Sequence, residues 1–357
     1  MRCRLADTGT HRLGGSAIER TQELAFKLDG RQFAAFAGDT VLSAVMAAGW
    51  YGFGEHLGAS LQLTEDSPFY VHPAGTAGGF RDVIHAARLP AADGLELSAL
   101  APLSPPRALH NPFRRRHEGL RSLEQPLVPP EPSRDGVRLA ASARSEETDL
   151  IVVGGGVAGL AAAAEAARQG LRVSLFERGG ALGGIADYYG RAEGERAPGD
   201  VAGELAAAVA AAETVTVHRF AEVTSAGDGA VIAIATETGE YGAAAAARLT
   251  LRAPRIVLAT GGREKLPLFA GNRAVGVLPS ISAWRMAALY GVWHGQAVQF
   301  FTATSDAYRL ALSLADAGVS VGRIYDARNN PASRFIAYAK AYGIRLNPGT
   351  RVEAVER

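Results

Sequence analysis

The feature that most constrains the fold is a glycine-rich turn between two short apolar strands. The first strand and its turn read LIVVGGG, the next segment reads VAGLAAAAEAARQG, and the second strand reads RVSLFER. The middle segment consists of strong helix formers and closes at Gly170, a residue type that favours the end of a helix. Strand, turn, helix and strand together predict one βαβ unit of a buried parallel sheet.

Three glycines of this turn, Gly154, Gly156 and Gly159, match the pattern G-x-G-x-x-G. The first permits a tight turn, the second lets a pyrophosphate approach the backbone, and the third lets helix and strand pack closely. Glu177 closes the second strand 21 residues after Gly156, where its carboxylate can accept hydrogen bonds from the 2′- and 3′-hydroxyls of a ribose. A 2′-phosphate would be repelled there, so NADP is disfavoured and FAD and NAD both remain possible. The alternative is an ordinary α/β crossover without a ligand.

Two further segments are expected to approach the same ligand. Gly183 and Gly184 follow the acidic strand, and in flavoproteins with two dinucleotide domains such a pair reaches the pyrophosphate from the other side; the alternative is a plain loop. Ala259-Thr260-Gly261-Gly262 ends another buried strand, RIVLATGG, where the chain returns to the cofactor. The predicted cofactor-binding residues are Gly154, Gly156, Val157, Ala158, Gly159, Glu177, Arg178, Gly183, Gly184, Ala259, Thr260 and Gly261.

A second βαβ pattern begins near Gln296 but lacks the glycines. Its turn reads Thr302-Ala303-Thr304-Ser305-Asp306. Ser305 or Asp306 can cap the following helix, and the alternative is a role in holding a phosphate. Asp326 stands where a ribose-binding acid would fall.

The N-terminal part predicts a hairpin followed by a helix. LAFKL and RQFAAF flank Asp29-Gly30, a dipeptide typical of a two-residue hairpin turn, and Asp39 is the expected N-cap of the helix in TVLSAVMAAG. Hairpin then helix is how a β-grasp domain begins. The expected organisation is a β-grasp-like domain (residues 1–101), a Pro-rich connector (102–148), a dinucleotide-binding Rossmann domain with a β-meander (149–295) and a second, incomplete Rossmann-like domain (296–357). The predicted class is α/β, a Rossmann-like two-dinucleotide flavoprotein fold of the glutathione reductase type.

Composition narrows the functional classes. Hydrophobic residues make up 48% of the chain, which is enough for a core, and 37 basic against 36 acidic residues give a net charge of +1, which favours neither nucleic acid nor an anionic membrane. Cys3 is the single cysteine, so we expect no iron–sulfur cluster, and the histidines show no metal-ligand spacing. Without a secretory signal or a membrane-spanning stretch, the expected location is the cytoplasm. No general acid–base pair is recognisable, so the catalytic residues stay unassigned.

Four segments, in this order, resemble the α subunit of heterotetrameric sarcosine oxidase and related amine and opine oxidoreductases, including hydrogen cyanide synthase-like large subunits. They read LDGRQFAAFAGDTVLSAVMAAG, LIVVGGGVAGLAAAAEAARQG, IVLATGGREKLPLFAGN and FFTATSDAYRLALSLADAGV. The resemblance is poor across residues 51–148. It implies an oxidoreductase subunit acting on CH–NH groups, with a dinucleotide site on this chain.

The same resemblance implies that a secondary amine or amino acid is oxidised on a flavin-containing β subunit, so the isolated chain is expected to be inactive. The family α subunit continues into a folate-binding region that this sequence does not contain. The alternatives are a non-catalytic dinucleotide-binding scaffold and a truncated paralogue of an opine or amino-acid dehydrogenase large subunit.

Overall fold

The computed structural model describes residues 3–9, 12–56, 59–74, 83–100, 103–104, 142–189, 194–238 and 244–355. Most of the expected Pro-rich connector, residues 105–141, lies outside these ranges. Its last residues, Ser142–Glu147, form a β-strand that belongs to the dinucleotide-binding part of the molecule.

The N-terminal domain is built on a five-stranded mixed sheet. Its elements are β1 (Glu19–Leu28), β2 (Arg31–Ala37), α1 (Val41–Ala47), β3 (Gly52–His56), β4 (Ala59–Gln62), β5 (Tyr70–Pro73), β6 (Ile84–His85), β7 (Glu96–Ala99) and β8 (Leu103–Ser104). The sheet order is β2-β1-β7-β5-β6, while β4-β3-β8 form a small separate sheet. β1 and β2 are an antiparallel hairpin, and β7 lies parallel to β1. Hairpin, helix and a parallel strand beside β1 confirm the β-grasp-like arrangement.

The hairpin turn and the helix start follow from local chemistry. Asp29 and Gly30 both have positive φ angles, 50° and 71°, as a two-residue hairpin turn requires. The prediction that Asp39 caps α1 is wrong: Thr40 is the N-cap, and it forms a reciprocal capping box with Ser43. The Asp39 carboxylate instead accepts hydrogen bonds from the Phe36 amide and the Ser43 hydroxyl.

The first dinucleotide-binding domain contains two sheets. The parallel sheet has the order β12-β11-β10-β16. A second, mixed sheet packs on it with the order β13-β14-β15-β9, in which β13, β14 and β15 form an antiparallel meander and β9 pairs parallel to β15. The strands and helices are β9 (Ser142–Glu147), β10 (Leu150–Val153), α2 (Val157–Arg168), β11 (Val173–Phe176), α3 (Pro198–Ala211), β12 (Val215–His218), β13 (Ala221–Gly227), β14 (Ala230–Thr238), β15 (Ala244–Arg252) and β16 (Ile256–Leu258). The segment TVTVHRF alternates like a strand of the meander, but β12 pairs parallel to β11 and belongs to the parallel sheet.

The parallel sheet is covered on both faces, as parallel sheets generally are. On one face, Ile151 and Val153 pack against Val231 and Leu249 of the meander. On the other face, Val152 and its neighbours pack against helices α2 and α3. This double burial explains why β10 reads as a continuous apolar run in the sequence.

The second dinucleotide-like domain is a three-stranded parallel sheet with two helices. Its elements are β17 (Ala297–Thr302), α5 (Asp306–Asp316), β18 (Ser320–Asp326), α6 (Arg334–Ala341) and β19 (Arg345–Pro348), in the sheet order β17-β18-β19. A further helix, α4 (Ser280–Tyr290), lies between the domains. Met286 and Tyr290 of α4 join the core of the N-terminal domain, whereas Trp284 joins the core of the second dinucleotide-like domain.

The first residues of the chain also tie the domains together. Arg4 forms an ion pair with Asp39 at 2.6 Å, with both side chains buried, and it donates to the backbone carbonyl of Tyr290. Leu13 is fully buried in the core of the second dinucleotide-like domain. The segment therefore links three parts of the molecule through long-range contacts.

Within the described ranges, none of the helices combines the length and the apolar character needed to cross a membrane.

Candidate functional site

The glycine-rich turn joins β10 to α2 with very little space around two of its glycines. Gly154 has a φ of 110°, and a Cβ there would lie 2.2 Å from the Ala259 carbonyl oxygen. A Cβ on Gly159 would lie 1.9 Å from the Gly154 carbonyl oxygen and 3.3 Å from the side chain of Val152. Both positions therefore require glycine so that β10, β16 and α2 can pack together.

Gly156 is different, because the space in front of it is open. It is the N-cap of α2 with extended backbone angles (φ −77°, ψ −179°), and a Cβ there would meet only the Gly184 Cα, at 4.0 Å. No side chain caps the helix, and its first turn holds no acidic residue. Val157 and Ala158 of this turn are exposed. An open helix N-terminus with free amide groups and no competing carboxylate suits a phosphate or pyrophosphate.

Glu177 lies directly after β11 and beside this turn. Its two carboxylate oxygens accept hydrogen bonds from the Gly155 amide (2.9 Å) and the Gly179 amide (2.7 Å). Each oxygen keeps a further lone pair that can accept a ribose hydroxyl. The backbone bonds hold the carboxylate at the carboxyl end of the sheet, where ligands bind in open α/β folds.

The second glycine pair, Gly183 and Gly184, lies against the glycine-rich turn formed by Gly154, Gly156 and Gly159 (the fingerprint turn). The Gly183 amide donates to the Gly155 carbonyl at 2.8 Å, and Gly183 forms a β-bridge with Gly156. A Cβ on Gly184 would lie 3.1 Å from the Gly156 Cα. The loop after β11 is thus held next to the helix N-terminus.

The segment after β16 completes the same edge. The Ala259 amide donates to the Val153 carbonyl at 2.8 Å, and Thr260 and Gly261 follow as exposed residues. The structure therefore brings the fingerprint turn, Glu177, the second glycine pair and Ala259–Gly261 together at the carboxyl ends of β10, β11 and β16.

Arg178, also predicted as a cofactor-binding residue, is engaged by the N-terminal domain. Its guanidinium lies 3.3 Å from the Asp66 carboxylate, and the same carboxylate oxygen lies 3.0 Å from the Arg263 guanidinium. The neighbouring Glu65 pairs with Arg285 of α4 at 3.4 Å. Burial raises the pKa of Glu65, although the charges of Arg285 and Arg178 lower it. Sequence reasoning missed this contact, because nothing in the local pattern links residues 65 and 66 to the dinucleotide-binding edge.

A cleft of about 570 Å³ opens next to Glu177. It lies between the loop after β11, the N-terminus of α3, helix α4 and the N-terminal segment. Its charged and aromatic lining includes Arg12, Glu65, Arg88, Glu177, Trp284 and Arg285. The cleft provides room for a ligand that extends beyond the helix N-terminus.

The second βαβ unit has no comparable cradle in the part of the chain that the structure describes. The Asp326 carboxylate accepts hydrogen bonds from the Tyr308 hydroxyl (2.8 Å) and from the backbone and side chain of Arg328. Burial opposes ionisation of Asp326, but the Arg328 hydrogen bonds outweigh it and lower its pKa. Ser305 is the N-cap of α5 but makes no side-chain cap bond; its hydroxyl donates to the Ala332 carbonyl. Asp326 is thus occupied by internal partners.

Comparison with known proteins identifies the relationship. The profile of the pyridine nucleotide-disulphide oxidoreductase family matches residues 148–289. The sarcosine oxidase subunit alpha of Corynebacterium sp. (strain P-1) is 32% identical over 347 residues, which cover 95% of this chain. The chain is a relative of the sarcosine oxidase α subunits. That of Corynebacterium sp. (strain U-96) is 29% identical over 96% of the chain. The chain spans 34% of the length of each of these sarcosine oxidase α subunits.

The fold also occurs in a solved structure. L-Proline dehydrogenase from P. horikoshii superposes with a TM-score of 0.59 at 19% identity, covering 90% of this chain and 55% of that chain. Together with the family match, this similarity confirms the predicted α/β fold class. The resemblance to the sarcosine oxidase α subunits is confirmed as well, across the N-terminal domain and both dinucleotide-type domains.

Proposed function

We propose that this chain binds the ADP half of FAD or NAD at the N-terminus of α2 and serves as the dinucleotide-binding part of a flavin-dependent amine oxidoreductase of the sarcosine oxidase α type. The observation that carries the proposal is the open, uncapped N-terminus of α2 at Gly156, held beside Glu177 in a chain related to sarcosine oxidase α subunits over 95% of its length.

Each part of the site has a separate task. The amides of Val157 and Ala158 would donate to pyrophosphate oxygens, with the helix dipole favouring the negative charge. Glu177 would accept hydrogen bonds from the adenosine ribose while the Gly155 and Gly179 amides hold it in place. A bound flavin or nicotinamide would supply the two-electron redox chemistry.

We place amine oxidation on a partner β subunit that carries a flavin. Two side chains with shifted pKa values, His85 and Tyr308, form hydrogen bonds with other groups of the fold. His85 is buried, its Nε2 lies 2.8 Å from the Ser67 carbonyl oxygen, and its Nδ1 accepts from the Ala87 amide. The Tyr308 hydroxyl is bonded to Asp326. The described ranges thus offer no paired acid and base beside the α2 N-terminus, which favours chemistry on another subunit. The substrate would be a secondary amine or an amino acid.

Two measurements test the proposal. Nucleotide released from the denatured purified protein should be FAD or NAD in near-stoichiometric amount. Sarcosine added anaerobically to the complex with the β subunit should then reduce the flavin. The reduction is measured as a loss of the flavin absorption band. A protein without nucleotide refutes the binding site. A nucleotide-loaded complex that no secondary amine or amino acid reduces supports a scaffold and refutes the redox assignment.

A further inference from the structure

A turn of the N-terminal domain contacts the dinucleotide-binding edge on both sides of β10. Asp66 accepts from Arg178, which follows β11, and from Arg263, which follows β16. Since β10 lies between β11 and β16 in the sheet, one carboxylate from another domain joins arginines from the two strands that flank the fingerprint strand.

The position of Asp66 is fixed by bonds within its own domain. The Thr64 amide donates to the Ser67 hydroxyl at 2.8 Å, and the Ser67 amide donates to the Thr64 carbonyl at 3.1 Å. The His85 ring binds the Ser67 carbonyl. A turn closed in this way presents Asp66 to the two arginines without help from the ligand.

The charge arrangement bears on which ribose the site accepts. An arginine near the ribose-binding acid is the usual partner of a 2′-phosphate in dinucleotide-binding folds. Arg178 is the residue directly after Glu177, lines the same cleft and has a side chain that is 41% exposed, so its guanidinium is the candidate partner for such a phosphate. In this structure the guanidinium is instead paired with Asp66, a carboxylate that it shares with Arg263.

We propose that Asp66 is a specificity-determining residue: it holds Arg178 away from the adenosine ribose and so makes the site reject a 2′-phosphorylated dinucleotide. This inference rests on the proposed binding of an ADP moiety at the α2 N-terminus. Two features then disfavour the 2′-phosphate: the negative charge of Glu177 repels it, and Arg178 is paired with Asp66.

The test uses ADP-ribose and 2′-phospho-ADP-ribose, because these probes report on the adenosine half for FAD and NAD alike. Their Kd values are measured by calorimetry on protein freed of nucleotide. In Asp66→Asn, 2′-phospho-ADP-ribose should bind about 10-fold more tightly than in the wild type, since Arg178 is released, while ADP-ribose affinity changes less than about 2-fold. The double variant Asp66→Asn/Arg178→Ala should lose the gain.

The matched control is Asp149→Asn. Asp149 pairs with Arg172 at 2.8 Å at the opposite edge of the same sheet and has the same exposed side-chain fraction as Asp66, 37%. The Asp149→Asn variant removes the same charge without freeing Arg178. Its Kd values for ADP-ribose and 2′-phospho-ADP-ribose should therefore stay at the wild-type level.

Three results would overturn the inference: no gain for the 2′-phosphorylated probe in Asp66→Asn, an equal gain in Asp149→Asn, or a gain that persists without Arg178. A wild-type protein that binds neither probe would refute the proposed function instead. Thermal unfolding of each variant establishes that the binding values come from folded protein.

Discussion

The three fingerprint glycines are expected to respond differently to substitution, and Gly156→Ser is the most informative change. Gly156 has extended backbone angles that any residue can adopt, and its Cβ would meet nothing closer than 4.0 Å. Serine is also a favourable N-cap residue. The structure therefore predicts that Gly156→Ser folds normally, with a stability within about 0.5 kcal/mol of the wild type.

Ligand binding should nevertheless fail. The serine side chain occupies the space in front of α2, and its oxygen accepts from the first-turn amides that would otherwise bind the pyrophosphate. Losing one or two charge-assisted hydrogen bonds costs about 3 kcal/mol or more, which corresponds to at least about a 100-fold weaker Kd.

Gly154→Ala and Gly159→Ala should show the opposite pattern in stability. Their new Cβ atoms would lie 2.2 Å and 1.9 Å from backbone carbonyl oxygens, so strand and helix must move apart. We expect a loss of about 3 kcal/mol for each, at the upper end of the usual cost of overpacking. Gly170→Ala is the control: its Cβ meets nothing within 4 Å but its φ is 78°, so it loses about 1 kcal/mol without affecting the ligand.

The assay combines urea unfolding with calorimetric titration of ADP-ribose. A folded Gly156→Ser protein that binds ADP-ribose as tightly as the wild type would refute the assignment of the α2 N-terminus as the pyrophosphate site. A Gly156→Ser protein destabilised by more than about 2 kcal/mol would contradict the open geometry on which the reasoning depends.

Three further predictions concern catalysis, the domain junction and pH. The isolated chain should not oxidise sarcosine, proline or octopine, and rapid anaerobic bleaching of bound flavin by any of them would show a complete enzyme. Asp39→Asn leaves the buried Arg4 guanidinium without its counter-ion and should cost about 3–5 kcal/mol in urea unfolding; a loss below about 1 kcal/mol would mean that the pair is solvated. Burial, with a smaller contribution from Arg88, lowers the pKa of His85 from 6.5 to about 4, so the unfolded chain binds a proton that the folded protein does not, and stability falls by about 3 kcal/mol as the pH drops from 6.5 to 4. His85→Asn should remove this part of the pH dependence, and identical pH profiles for the two proteins would contradict it.

Several elements could be predicted from the sequence because they depend on neighbouring residues. Asp29-Gly30 predicts the hairpin turn, since its backbone angles are a local property. The apolar run before Gly154 and the alanine-rich helix after Gly156 predict the βαβ unit, because strand burial and helix propensity are encoded within a few residues. The position of Glu177 at the end of the second strand follows from the fixed length of that unit.

Other features depended on contacts between distant segments. Residues 215–218 alternate between apolar and polar side chains, like a strand of the meander. They nevertheless pair with β11, because helix α3 ends next to that edge of the parallel sheet. Asp39 looks like a helix cap, but the Arg4 guanidinium competes for its carboxylate from 35 residues away. The hydrogen bond from the Tyr308 hydroxyl to Asp326 likewise forms only when α5 packs on β18.

The sequence by itself determined that this chain has a glycine-rich turn with an acid at the ribose position, because the spacing of one βαβ unit fixes both. Only the tertiary structure decided that Gly156 faces open space while Gly154 and Gly159 are closely packed, since that depends on the return of Ala259 and on helix packing. It also decided that Asp66 contacts Arg178 across 112 residues of chain. Ion pairs between exposed charges depend on which surfaces the domains bring together, so no local sequence pattern encodes Asp66 as the partner of Arg178.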